Sequence, residues 1–238
     1  MTEEILFYGF RQDGRRPGEL RQIKIKLGVV DNSSGSALFQ IGHTSVLAFI
    51  HGPKQTKHEK ESGHIHCYFN TAYFSSSGER RKFSKGDKKS NEFEANVRTM
   101  FESVVLMENN PHSDIDIHVL VLADDGSVEC AAINAITLSL IHAGVPLKDF
   151  LVSCSSGFYS GMPLIDLTYS ESTSFQVISE YRVAVLGKSL QIAYLNYDDI
   201  GGHKLTPEVV REITAMAIEG CKQVHFIMKQ ELQNACSN

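Results

Sequence analysis

The sequence lacks the features that mark a membrane protein or a disulfide-stabilised secreted domain. It has no uninterrupted apolar run close to the roughly 18 residues that a membrane-spanning helix needs. Its five cysteines are scattered without a CxxC pair, which is typical of free thiols in a reducing compartment. The opening MTEEILFYGF has no basic segment followed by an apolar one, so no secretory signal is expected. We therefore expect a soluble, intracellular protein with no membrane partner.

The chain also lacks a strong excess of charge. Its net charge is −5 and charged residues make up 21% of its 238 residues, which argues against coating of nucleic acid by the whole surface. A local basic patch can still bind RNA, because the field near a patch matters more than the sum. The length and the 42% hydrophobic content suit one large domain or two small fused ones.

The order of predicted elements favours a mixed α/β fold without the regular alternation of a Rossmann or barrel fold. Period-two alternation and turn residues predict strands, and a 3.6-residue apolar period predicts helices. We expect strands over about 23–29, a hairpin that turns at Gly42 and ends at Gly52-Pro53, and further strands over 64–74, 114–122 and 149–197. We expect helices over about 88–107 and 130–143 and from Thr206-Pro207 onward. The helix over 130–143 is apolar on all sides, so we place it in the interior.

One stretch, ERRKFSKGDKK (79–89), is strongly basic, with six basic residues in eleven. A basic loop that leads into a helix can grip phosphates through its side chains and through the amides of the helix end. A solvated loop without a binding role explains the same composition. The residues alone leave both interpretations open.

Two patterns suggest metal ligands, and neither is complete. His64 and His66 would share one face of a strand with Cys67 on the other, but no second cluster with zinc spacing follows. Asp114 and Asp116 also share a face, and solvent-facing alternation explains them as well as a cation does. We therefore expect no metal site.

Asp166 lies in an otherwise apolar segment, between Ile165 and Leu167. A buried carboxylate is costly unless it has a partner or a chemical role. The turn over 124–127 is either an anion-binding nest of backbone amides or only a turn. The run GFYSG (157–161) is not a GxSxG nucleophile elbow, because its serine comes one place late.

Several stretches together resemble the RNase PH family, in particular its exosome branch. They are RQDGRRPGELR (11–21), FSSSGERRKFSKGDKKSNEFEANVRTMFES (74–103), DIDIHVLVLADDGS (114–127), AAINAITLSLIHAGVPLKDFLVSCSSGF (131–158) and PLIDL (163–167). The resemblance implies an RNase PH fold of the ribosomal protein S5 domain 2-like type, with two βαβα-like halves. It implies a single domain with an N-terminal core over about 15–145 and a C-terminal half over about 146–238.

The resemblance also implies partners and a reaction. The chain would pair with other RNase PH-like exosome subunits in a hexameric ring around an RNA channel, with cap subunits and a separate nuclease. Active members cleave single-stranded RNA from its 3′ end with inorganic phosphate. Phosphate and Mg²⁺ would be needed only by an active member, and no other cofactor is expected. The implied location is the nucleus, the nucleolus and the cytoplasm.

The resemblance assigns RNA binding to basic residues near the first helix. The family's paired arginines, which hold the RNA backbone, fall on Lys88 and Lys89. Lysine keeps the charge and loses the bidentate fork of arginine. Arg80 and Arg81 would lie nearby on the channel wall.

The positions that carry catalysis in the family are altered. The phosphate-holding loop falls on Gly126, Ser127 and Glu129, where Glu129 replaces an arginine and would repel phosphate. The catalytic aspartate falls on Ser160, which cannot act as a carboxylate. A second acidic residue is retained as Asp166, and we expect it to be vestigial. The predicted function is a non-catalytic exosome subunit that binds RNA and guides it for 3′-to-5′ processing and degradation.

Two other functions remain open. An active phosphate-dependent 3′-to-5′ exoribonuclease would be favoured if Asp166 and the basic loop suffice for chemistry. A small-molecule kinase on an S5-like fold would need a Gly/Ser-rich phosphate loop such as PxxxGLGSS before a helix, and the sequence has none.

Overall fold

A computed structural model describes residues 6–7, 9–55, 63–76, 88–107, 113–159, 161–173, 177–199 and 206–237. In this part of the chain a short hairpin of β1 (Leu6–Phe7) and β2 (Phe10–Arg11) precedes two larger sheets. None of the helices found there is long and apolar enough to span a membrane. The predicted mixed α/β class is confirmed.

The first sheet has five strands in the spatial order β3-β4-β5-β7-β6. They are β3 (Ile23–Leu27), β4 (Gly35–Ile41), β5 (Thr44–Gln55), β6 (His64–Thr71) and β7 (Ser113–Ala123). All neighbours are antiparallel except β6 and β7. The predicted hairpin is β4–β5, but β5 does not end at Gly52-Pro53. It continues to Gln55 after an irregularity in its pairing with β7 between His51 and Lys54.

The second sheet has four antiparallel strands in the order β11-β10-β8-β9. They are β8 (Leu151–Tyr159), β9 (Met162–Ile165), β10 (Val177–Leu186) and β11 (Ile192–Asp199). The helices are α1 (Lys88–Val104), α2 (Val128–His142), α3 (Tyr169–Ser172) and α4 (Pro207–Ser237). The short helix α3 was not predicted from the sequence, although Thr168 and Glu171 form a capping box at its start and this spacing is a known helix-start signal.

Helix α2 lies between the two sheets, since it packs on β4 and β5 of the first and on β8 and β10 of the second. Every residue from Cys130 to Leu140 is buried, so the predicted interior position is confirmed. Asn134 donates to the carbonyl of Ser153 at 2.9 Å and accepts from its amide at 2.8 Å. These two bonds satisfy a polar side chain that would otherwise be costly to bury.

The alternation in β7 explains how the first sheet faces the helices. Ile115, Ile117 and Val121 are fully buried, whereas Asp116 and His118 between them point to the opposite, partly exposed face. This is the period-two pattern of a strand with one covered face. Among the described residues, β7 therefore buries one face against the helices and leaves the other partly exposed.

The buried cysteines serve as packing residues. Cys67, Cys130, Cys154 and Cys221 are free thiols and all four are buried. Burial raises the pKa of Cys67 and of Cys130 to about 12. These thiols therefore stay protonated and unreactive at neutral pH.

The close approach of β4 to the end of α2 generates a first prediction. A Cβ at Gly35 would lie 2.4 Å from the backbone nitrogen of Ala143 and 2.4 Å from the carbonyl oxygen of Ser139. Because these are backbone atoms, the clash cannot be relieved by a rotamer change. We expect Gly35→Ala to lower the free energy of unfolding by about 1–3 kcal/mol, as measured by urea denaturation.

Gly18→Ala is the matched control for this measurement. A Cβ at Gly18 has no atom within 4 Å, so its free energy of unfolding should be unchanged or slightly higher. Equal stability of the two variants would contradict the proposed contact between β4 and α2.

Candidate functional site

Asp166 is the centre of a buried polar cluster that joins three parts of the chain. It is 1% exposed and its backbone has a positive φ of 53°. Its carboxylate accepts hydrogen bonds from Arg21 Nε at 2.8 Å, from Arg21 Nη2 at 2.6 Å and from Ser127 Oγ at 3.1 Å. The backbone amide of Arg21 adds a fourth bond at 3.0 Å. The partner that the sequence analysis required for Asp166 is therefore Arg21.

The ionisation of Asp166 follows from this geometry. Burial by itself would raise the pKa of the carboxyl, but the hydrogen bond and the charge of Arg21 outweigh it and hold the pKa of Asp166 below its usual value. Arg15 adds a weaker attraction, with its Nη1 3.4 Å from Asp166 Oδ2. Asp166 is thus a carboxylate at neutral pH.

A second buried arginine reinforces the same junction. Arg11, at the end of β2, donates to both carboxylate oxygens of Glu171 and to the carbonyls of Ile165 at 2.5 Å and Asp166 at 2.8 Å. Glu171 also accepts from the amide of Thr168 at 2.8 Å, which completes the cap of α3. The arginine-rich segment near the start of the chain therefore fastens the segment that follows β9.

The predicted phosphate loop is attached to this cluster. The carbonyl of Asp125 accepts from Arg21 Nη1 at 2.7 Å, and the carbonyl of Gly126 accepts from Thr44 Oγ1 at 2.8 Å. The hydroxyl of Ser127 lies within hydrogen-bond distance of Ser155, Asp166 and Leu167. Ser127 is 6% exposed, so its hydroxyl is used inside the protein.

The amides of this turn decide between the two interpretations of residues 124–127. The amide of Asp125 donates to Thr44 Oγ1 at 3.1 Å, and that of Gly126 donates to its neighbour Asp124 Oδ1 at 3.1 Å. An anion nest needs these donors for its ligand. The structure therefore favours a turn whose amides at Asp125 and Gly126 are bound by the side chains of Thr44 and Asp124.

Glu129 lies in the first turn of α2 and is held by a cation from the second sheet. Its Oε1 is 3.0 Å from Arg182 Nη1, and the same guanidinium contacts Glu180 at 3.4 Å and Asp198 at 2.6 Å. Burial raises the pKa of Glu129 although Arg182 opposes the change. One cation thus serves three carboxylates, and their surplus negative charge lies beside the predicted phosphate loop.

Of the four predicted RNA-binding residues, the structure describes Lys88 and Lys89. Lys88 and Lys89 are the first two residues of α1 and both are exposed. In the part of the chain that the structure describes, neither forms an ion pair. Arg80 and Arg81 lie outside the described residues, as does Ser160.

The two candidate metal patterns, His64–Cys67 and Asp114–Asp116, do not form a common binding site in the described residues. His66 is exposed and Cys67 is buried on the opposite face of β6, as the strand period predicted. Asp116 is bound by Lys54 at 2.7 Å. Within the described ranges, no group of three histidine, cysteine or acidic side chains is arranged to hold a metal ion.

The partners of the buried acids Asp166 and Glu171 were not predicted from the sequence. Arg11, Arg15 and Arg21 stand in the sequence as part of a polar loop, and Glu171 has no pattern there that marks it as a functional residue. A usable signal existed, because an aspartate in an apolar segment needs a cation and the segment RQDGRRPGELR (11–21) offers four arginines. The capping-box spacing of Thr168 and Glu171 was a second signal.

Comparisons with known proteins identify relatives. A model of the 3′ exoribonuclease family, domain 1 (RNase PH), matches residues 19–146. The Arabidopsis thaliana exosome complex component RRP41 homolog is 38% identical over 230 residues, covering 94% of this chain and 92% of that protein. The Cenarchaeum symbiosum exosome complex component Rrp41 is 30% identical over 230 residues, covering 95% and 91%. The crystal structure of rice Rrp46 shares the fold, with a TM-score of 0.81 at 23% identity over 94% of this chain and 100% of that one.

The Asp166 cluster generates a second prediction. Asp166→Asn removes the charge that faces Arg21 and leaves a buried guanidinium without its counter-ion. We expect the free energy of unfolding at pH 7 to fall by about 3–5 kcal/mol, as measured by urea denaturation. Asp31→Asn, at an exposed position, is the control and should change it little.

The pH dependence of this difference gives an independent check. The folded-state pKa of Asp166 is lowered, so its stabilisation is present above the unfolded pKa of about 3.9 and is lost as the pH falls through the folded pKa. The stability gap between the wild type and Asp166→Asn should therefore narrow below about pH 4. If the wild type and Asp166→Asn have equal free energies of unfolding at pH 7, or if their difference grows in acid, the structural role of the Asp166–Arg21 pair is contradicted.

Proposed function

This chain belongs to the RNase PH family of 3′ exoribonucleases, and we propose that it is an exosome core subunit that binds single-stranded RNA and guides it without cleaving it. The observation that carries the proposal is the ion pair of Glu129 with Arg182. Glu129 occupies the position that the family resemblance assigns to a phosphate-binding arginine. The reaction needs a positive charge at this position to bind phosphate. The chain instead has a carboxylate there, which is paired with its own Arg182.

The charge around Glu129 opposes phosphate binding. Phosphorolysis needs cations that gather an anionic nucleophile beside an anionic RNA backbone. Arg182 is the cation in contact with Glu129, and Glu180 and Asp198 share it. Three carboxylates against one guanidinium leave a negative site, which repels inorganic phosphate.

The retained Asp166 does not supply the missing chemistry. Its carboxylate accepts from Arg21 and Ser127 on both oxygens, and its side chain is 2% exposed. A general acid or a metal ligand must reach the substrate or its ion. Asp166 therefore acts as a structural residue, and this argues against the alternative of an active phosphorolytic enzyme.

Lys88 and Lys89 support RNA binding from the surface. Both are exposed on the first turn of α1, where backbone amides add to the attraction for phosphate. Contacts of this kind read the RNA backbone and carry no sequence information. The subunit thus holds RNA of any sequence.

The proposal extends to partners and location. Relatives at 30% identity and above are named exosome complex components. We infer that this chain joins other RNase PH-like subunits in a hexameric ring, with cap subunits and a separate nuclease, in the nucleus, the nucleolus and the cytoplasm. Inorganic phosphate and Mg²⁺ are not required for this role.

The third prediction concerns RNA affinity in the assembled ring. Lys88→Ala combined with Lys89→Ala should weaken binding of single-stranded RNA and reduce the slope of log affinity against log salt by roughly one to two. Fluorescence anisotropy over a salt series measures both quantities. The control is Lys24→Ala with Lys26→Ala, which removes two exposed lysines from β3. An unchanged slope in the first variant, or an equal change in the control, would count against this RNA path.

The fourth prediction concerns catalysis. The assembled ring, free of added nuclease, should release no nucleoside diphosphates from a 5′-labelled single-stranded RNA in the presence of Mg²⁺ and phosphate. Loss of even one contact to developing charge typically lowers a rate by a factor of about 10²–10³, and here the cation is replaced by an anion. A phosphorolytic RNase PH-family enzyme assayed in parallel is the positive control.

Phosphate-dependent release by the wild-type ring would overturn the non-catalytic proposal. Asp166→Ala is not a suitable catalytic knockout in this assay, because Asp166 holds Arg21 in the interior. Loss of activity in that variant would report misfolding as readily as chemistry.

A further inference from the structure

A surface cavity of about 300 Å³ lies where the C-terminal end of α2 meets the turn between β10 and β11. It is at the opposite end of α2 from the cluster around Glu129, which lies in the first turn of that helix. Most of its lining is apolar, and two exposed lysines complete it. The lining side chains used below are Ile141, Val145, Leu147, Phe150, Lys148 and Lys188.

The end of α2 builds the first wall of this cavity. Gly144 has a positive φ of 72°, and its amide donates to the carbonyl of Ile141 at 3.0 Å. The amide of Val145 donates to the carbonyl of Leu140, also at 3.0 Å. This pair of bonds is a Schellman motif, which ends a helix and satisfies its last carbonyls. The wall therefore presents apolar side chains, because the carbonyls of Leu140 and Ile141 are bonded within the chain.

Contacts to three other elements hold the remaining walls. The amide of Lys148 donates to the carbonyl of Val104 at the end of α1, at 2.9 Å. The amide of Gly187 donates to the carbonyl of Phe150 at 2.8 Å, which ties the turn after β10 to the start of β8. The ring of Phe150 packs against His225 of α4, with ring centroids 5.2 Å apart. The cavity is therefore preformed and needs no rearrangement of the main chain to accept a ligand.

Polar groups that line the cavity are already bonded within the chain. The carboxylate of Asp149 accepts from the amide of Phe150 at 2.7 Å and from the amide of Lys188 at 2.9 Å. The ammonium of Lys148 donates to the carbonyl of Ser103 at 2.7 Å. A ligand group inside the cavity therefore meets apolar walls and finds few hydrogen-bond partners. An aliphatic side chain suits such walls, whereas the polar edge of a nucleobase would stay unsatisfied.

The surroundings of the cavity carry positive charge. Lys188 and Lys229 are both exposed, and among the residues that the structure describes neither is paired with a carboxylate. Burial lowers the pKa of His225, and the charges of Lys229 and Lys188 lower it further although Asp149 opposes them. His225 is therefore neutral at pH 7 and does not add to the charge. With Lys148, three lysines face one aspartate, so this surface attracts an acidic ligand.

We propose that the cavity is a docking pocket for an acidic segment of a partner protein, in which one aliphatic side chain fills the cavity and flanking carboxylates face Lys188 and Lys229. The inference goes beyond the proposed function, because it requires neither RNA nor phosphate. Burial of the aliphatic side chain supplies affinity. The carboxylates supply selectivity and faster association.

The experiment is an NMR titration of the full-length chain, labelled at its isoleucine, leucine and valine methyl groups. The probe is a synthetic peptide with one leucine between two runs of glutamate and aspartate. We expect the methyl signals of Ile141, Val145 and Leu147 to shift. The signals of Ile192 and Leu195, which are exposed on β11, should stay in place. Replacing the leucine of the peptide by alanine should raise the dissociation constant by about tenfold or more.

Charge reversal tests the contribution of the lysines. Lys188→Glu combined with Lys229→Glu should raise the dissociation constant of the leucine peptide by about tenfold or more. The matched control is Lys24→Glu combined with Lys26→Glu, which changes the net charge equally at two exposed positions of β3 and should leave the constant unchanged. Because Lys188 and Lys229 are exposed, the double variant should melt within a few degrees of the wild type.

Several results would overturn the docking pocket. One is a wild-type chain whose cavity methyl signals do not shift at millimolar peptide. Another is equal binding of a peptide in which glutamine and asparagine replace the acids, or equal binding by the Lys188→Glu, Lys229→Glu variant. Equal shifts at Ile192 and Leu195 would show non-specific apolar binding. A short oligouridylate RNA is titrated in parallel, and the inference is wrong if the RNA shifts the cavity methyl signals and the acidic peptide does not.

Discussion

The buried ion pair between Asp166 and Arg21 is the interaction on which the arrangement around α2 depends. It joins the segment before β3 to the segment after β9, and Arg21 continues to the carbonyl of Asp125 just before α2. Three regions far apart in sequence therefore share one charge pair. A buried pair gains little relative to a well-packed apolar contact, but loss of one partner leaves an uncompensated charge and is strongly destabilising. The pair thus specifies which segments meet more than it adds to net stability.

This structural role accounts for the buried Asp166 without any part in catalysis. The carboxylate is fully used by Arg21 and Ser127 and is shielded from solvent. A second charge cluster lies on the neighbouring turn of α2, where Arg182 holds Glu129. Both ends of the predicted phosphate loop therefore carry charges that contact other side chains of the protein. The contacts around Asp166 keep their geometry without a ligand.

The surfaces left for binding lie away from these clusters. Lys88 and Lys89 present two positive charges at the start of α1, and β11 exposes Ile192, Leu195 and Tyr197 at the edge of the second sheet. The first surface suits a polyanion of any sequence, and the second is an exposed apolar strip. A phosphorolytic subunit needs cations around phosphate, whereas Glu129, Glu180 and Asp198 share one cation, Arg182. This distribution of charge supports the proposed function.

Sequence alone determined the features that arise from local patterns. Period-two alternation predicted β7, an all-apolar segment predicted the interior position of α2, and Thr206-Pro207 marked the start of α4. The cost of burying a carboxylate also showed that Asp166 needed a partner. Each of these follows from neighbours within a few residues, where helix and strand periods are set.

Only the tertiary structure decided which arginines pair with the buried acids and which strands lie at the edges of the sheets. Arg21 lies 145 residues from Asp166, Arg11 lies 160 residues from Glu171, and Arg182 lies 53 residues from Glu129. No local period links such pairs, since several arginines could have met the same acid. The apolar residues of β11 form an ordinary strand pattern until the sheet order places that strand at an edge that α4 does not cover. Burial and ion pairing are properties of the assembled chain, because they depend on which segments come together and not on the residues of one segment.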